Sequence, residues 1–186
     1  MAYTADYIVN SCWSTLEDLW VSSVPQIRTA VTECFVNVLS SEVALNKFIH
    51  DEARSERRMR ILVGYWSEES GQLAAAAGGA LATILCGGAP AVGLFMKTES
   101  GFHSTVEWLD SGKEDMVHRA VMIAKELLEV VSKGHSPLGA LVVAAAKDEG
   151  LQPALENLKG NLPRSMDFLD QEIVDALKVL RNHGVH

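Results

Sequence analysis

Between Gly71 and Met96 the chain runs GQLAAAAGGALATILCGGAPAVGLFM without a single charge. Ala and Gly dominate it, with Leu73, Leu81, Ile84, Leu85, Leu94 and Phe95 interspersed. No charged face is left to meet water, so the segment belongs at the centre of a helical core, a close-packed interface or a membrane. Gly87-Gly88-Ala89-Pro90 divides it, because proline cannot continue a helical hydrogen-bond ladder and glycine weakens one. The spacing predicts one helix over residues 72–86 and a shorter one over 91–97. The first of these is shorter than the roughly 20 residues that span a hydrocarbon core, and Ala and Gly add little transfer energy. A buried central helix follows, its small residues Ala74, Ala77, Gly78 and Ala82, with Ala140 and Ala144, marking close helix crossings.

Helical periodicity runs through the rest. Ile8, Cys12, Leu16, Leu19 and Trp20 share one face of a helix over 5–22. Pro25 opens a second, striped by Ile27, Val31, Cys34, Phe35, Val38 and Leu39, and Ser41 is placed to cap a third. HDEARSERRMR (50–60) reads as a solvated helix with Asp51–Arg54 and Glu56–Arg60 pairs. The cleanest amphipathic helix covers 114–133, with Val117, Val121, Ala124, Leu128 and Val131 in register and Gly134 as its C-cap. A helix follows over 138–147, then a short turn over 153–158 and a final helix capped by Ser165. Alternating strand patterns are absent, as is self-similarity at solenoid periods. The expectation is one all-α domain, residues 1–186: a bundle of about eight helices around a buried Ala/Gly-rich central helix.

The formal net charge of −8 argues against binding to nucleic acid. Three dispersed cysteines, Cys12, Cys34 and Cys86, read as free thiols in a reducing compartment, and the N-terminus lacks signal-peptide character. A cytoplasmic protein is expected.

Catalytic constellations are missing. Glu114, Asp115 and His118 have helical spacing but no second matching pair for a di-metal centre, and the glycines match no phosphate loop. No catalytic residue, metal ligand or cofactor is assigned. The strongest charge anomaly is Arg54, Arg57, Arg58 and Arg60, which with Trp13 and Trp66 forms the candidate binding set. The leading function is therefore a non-enzymatic helical interaction or regulatory protein, with a protein partner or a second copy of itself. Two alternatives stay open: membrane insertion or pore formation through 71–96, and binding of haem or another apolar ligand with His50, His103, His118 or His135 as a candidate ligand.

Overall fold

The computed structural model describes residues 7–51, 53–68 and 71–185. A π-helical turn, Ile8–Cys12, leads into α1 (Trp13–Trp20). Then come α2 (Pro25–Val38), α3 (Glu42–His50), α4 (Ser55–Trp66), α5 (Gly71–Leu85) and α6 (Ala89–Phe95). They are followed by α7 (Gly101–Leu109), α8 (Glu114–Ser132), α9 (Leu138–Asp148) and α10 (Leu151–Gly160). A 3-10 turn, Arg164–Leu169, precedes α11 (Asp170–Asn182). The described residues thus hold eleven α-helices and no strand, against the eight or so expected. Residues 5 and 6 of the expected first helix lie outside the described residues.

The helices repeat in threes. Every third one, α2, α5, α8 and α11, packs directly on the next and forms a ladder. A second row joins α4 to α7 and α7 to α10, and a third joins α3 to α6. The sequence shows no repeat because the periodicity lies in helix order, not residue identity: the rungs begin at Pro25, Gly71, Glu114 and Asp170, unevenly spaced. Such stacks bury a continuous core because no three-helix unit can cover its own apolar faces.

The central helix is α5, and it is buried as its composition requires. Leu73, Ala74, Ala77, Ala80, Leu81, Ile84 and Leu85 are all inaccessible. At Gly78 the missing side chain admits the Trp66 ring from α4, where a Cβ would collide with it. Trp66 Nε1 donates to Thr105 Oγ1 at 3.4 Å, and Trp108 Nε1 donates to the Trp66 carbonyl at 2.7 Å. The indole of Trp66 therefore ties α4, α5 and α7 together. At the N-terminal end Trp13 and Trp20 close on Phe35, with ring centroids 5.2 and 4.5 Å away.

Several local expectations are corrected. HDEARSERRMR is not a continuous solvated helix. The backbone leaves α3 at Asp51 and re-enters at Ser55, whose hydroxyl donates to the Asp51 carbonyl at 2.7 Å. Residues 153–158 belong to a full helix, α10, with Pro153 in the first turn, where its missing N–H costs nothing. Ser165 does not cap the last helix; its hydroxyl donates to Glu114 Oε1 at 2.7 Å across to α8. Gly134 does end α8: it sits at φ +71°, and the Gly134 and His135 N–H groups return to Val131 and Val130 as a Schellman closure.

Two neighbouring glycines of α5 give opposite predictions. Gly78→Leu overpacks against Trp66 and lowers stability by about 1–3 kcal/mol in denaturant melts. At Gly79 a Cβ meets only Arg119 and Val36 side-chain atoms, at 3.7 Å. Gly79→Ala is therefore expected to gain about 0.5–1 kcal/mol from helix propensity.

Candidate functional site

One stripe of α5 escapes burial. Gln72, Ala75, Gly79, Ala82, Thr83 and Cys86 recur at helical spacing and are the accessible positions along its ladder-facing side. Longer side chains flank them. On α2, Glu33 accepts a hydrogen bond from Gln72 Nε2 at 3.5 Å, with Val36 and Asn37 further along. On α8 the same face carries Asp115, Arg119, Met122 and Glu126. Arg119 donates to the Asp115 carbonyl at 2.6 Å, pairs with its carboxylate at 3.5 Å, and passes beside Gly79. The result is a low strip of small residues along α5, edged by taller polar side chains of both adjacent rungs.

Cys86 lies exposed at the end of this strip. Burial of the sulfur pushes its thiol pKa up, and the Glu126 carboxylate pushes it further. A raised pKa means less thiolate, so the thiol is a poor nucleophile. Cys12 and Cys34 are free and half-buried, and burial raises Cys34 too.

The arginine cluster does not act as one patch. Arg58 is 3% exposed and turned inward. Its guanidinium bonds Glu17, Asp51 Oδ2 (2.9 Å) and the Lys47 carbonyl (2.8 Å). The last contact satisfies an orphan carbonyl at the C-terminus of α3. It also lies 5.5 Å from the Trp13 ring centroid. Arg54 reaches Glu17 Oε2 at 3.0 Å, and Arg60 reaches Glu56 at 3.4 Å. Arg57 is exposed and lines a cavity of about 180 Å³ with Glu17, Asp18, Trp20, Arg54, Arg58 and Ile61. Trp13 and Trp66 are both core residues, 3% and 0% exposed. The break at Asp51 is what carries Arg58 inward, and nothing in the charge pattern announces it.

The four candidate ligand histidines are all exposed and stand on separate elements. His103 Nδ1 lies 2.8 Å from Glu149 and its Nε2 3.4 Å from Glu107. His135 lines an apolar cavity of about 340 Å³ with Val131, Gly139, Val143 and His183. Among the described residues no cluster of three or more His, Cys, Asp or Glu is arranged to hold a metal, and no helix is long and apolar enough to cross a membrane.

No family model matches this chain, and no curated protein does. Solved structures do. An engineered protein from the Northeast Structural Genomics Consortium aligns with a TM-score of 0.78 at 17% identity, over 99% of this chain and 68% of that one. A designed armadillo repeat protein aligns at 0.63 and 17% identity, over 96% and 87% of the two chains. Another, solved in complex with the peptide (KR)4, aligns at 0.62 and 16%, over 95% and 86%. The fold is thus a helical repeat of armadillo-like type.

The Arg58 knot has a pH signature. Burial raises the Glu17 pKa, but the Arg58 hydrogen bond and charge, with bonds from Trp13 and Arg54, outweigh that and hold it below the ordinary carboxylate value. A depressed folded-state pKa gives stability that is present above the unfolded value of 4.5 and lost as pH falls through the folded one. Arg58→Met is expected to cost about 3 kcal/mol, the low end for a broken buried pair because Asp51 is partly exposed. It is also expected to flatten the loss of stability below pH 4.5, read by thermal melts across an acid series.

Proposed function

We propose that this chain is a non-enzymatic interaction scaffold that holds a polypeptide along the open face of α2, α5 and α8. One observation carries the reading. The most thoroughly buried helix of the molecule opens to solvent along one stripe only, and that stripe is floored by Ala75, Gly79 and Ala82. Small side chains let a partner's backbone come close, while Glu33, Asn37, Met122 and Glu126 supply polar and adaptable contacts at the sides. Stacked helical repeats offer extended surfaces of this kind, and the neighbour bound to (KR)4 carries a peptide. Arg54, Arg57 and Arg60 keep solvent-facing side chains and are proposed as a secondary contact for an acidic partner surface. Three free cysteines support a proposed cytoplasmic setting.

The test is a random-peptide display screen against the full chain, followed by titration of enriched peptides. Ala75→Trp and Thr83→Trp fill the strip from the solvent side, and thermal melts report whether each variant folds. Enriched peptides are expected to lose at least about tenfold in affinity for the folded variants, as hot-spot contacts do. Equal affinity for wild type and both variants would place the binding elsewhere and defeat the proposal.

A further inference from the structure

Phe168 is 60% exposed, although its neighbours in the same 3-10 turn, Met166 and Leu169, are buried. Its ring stands edge-on to His118, with centroids 5.3 Å apart and planes at 88°. His118 lies on the open face of α8, one turn beyond Asp115, so this aromatic pair adjoins the strip described above. Residues 165–175, SMDFLDQEIVD, hold four acids and no base around it. One of them, Glu172, begins α11 four residues after Phe168 and keeps a buried Oε2 with no hydrogen-bond partner. Asp115 is engaged with Arg119 and adds little to this field.

We propose that the Phe168–His118 pair is a docking shelf for a lysine or arginine side chain, so that the polypeptide on the ladder face is a basic segment. This rests on the scaffold reading. The chemistry is complementary on three counts. An aromatic face attracts a cation through its quadrupole. The surrounding carboxylates add attraction and repel acidic partners. The orphan oxygen of Glu172 accepts the donor that it lacks. A purely apolar partner would cover Phe168 but would leave four carboxylates to be desolvated without counter-charge.

Fluorescein-labelled octapeptides of alternating Lys-Arg, Glu-Asp and Ser-Gln test this by anisotropy with the full chain, Phe168→Ala, Phe168→Trp, Glu172→Gln and Ala75→Trp. The Lys-Arg peptide is expected to bind at least tenfold tighter than Ser-Gln, with no binding of Glu-Asp. Phe168→Ala weakens it about fivefold and Phe168→Trp restores it, while Glu172→Gln weakens it without touching Ser-Gln. Phe168 is a surface residue, so these variants keep the fold, and melts verify it. If Lys-Arg binding falls in Ala75→Trp but not in Phe168→Ala, the shelf is refuted and the scaffold stands. If Lys-Arg does not bind while display-selected peptides do, the shelf is again refuted alone. If no peptide of either origin binds, both proposals fall.

Discussion

The missing side chain at Gly78 lets the Trp66 ring lie directly against the α5 backbone, and the rest of the stack is built on that contact. The indole fills the space between α4 and α5 while its N–H and the Trp66 carbonyl engage α7. One ring thus sets the separation of three helices from two successive units. Aromatic side chains bring the largest apolar area to such a junction. Glycine brings the closest approach. Together they explain why an Ala/Gly-rich helix, a weak source of apolar area by itself, sits at the centre.

Much of this was legible in the sequence. The uncharged run could only be buried, its division at Gly87–Pro90 is where α5 ends and α6 begins, and the stripe of α8 is inward-facing at Val117, Val121, Ala124, Leu128 and Val131. These readings rest on periodicity and backbone chemistry, which are local. The ladder was not legible, because its repeat is one of helix order over unequal spacings. Arg58 was misplaced on a solvated face for a related reason: four residues of broken helix at Asp51–Arg54 change which side of the chain meets the core.

The candidate site was the least legible part. Trp13 and Trp66 looked like ligand-facing aromatics and are core, while the exposed aromatic is Phe168, in a turn that the sequence presents only as a cap. The accessible strip of α5 carries almost no chemical signal. Its significance comes from the rungs on either side, and that adjacency spans more than 40 residues in each direction. Small residues in sequence mark close packing equally well whether the neighbour is another helix of the same chain or nothing at all.

The ladder also shapes how the molecule opens. α5 and α8 each have a rung on both sides, whereas α2 and α11 end the row. In a stack coupled only between nearest neighbours, local opening is cheapest at the ends and dearest in the middle. Thermal excursions therefore peel the outer rungs first and leave the α5–α8 pair standing longest. A chain laid across three rungs grips one durable junction and one that frays, so its residence time and the cohesion of the stack are set by the same contacts.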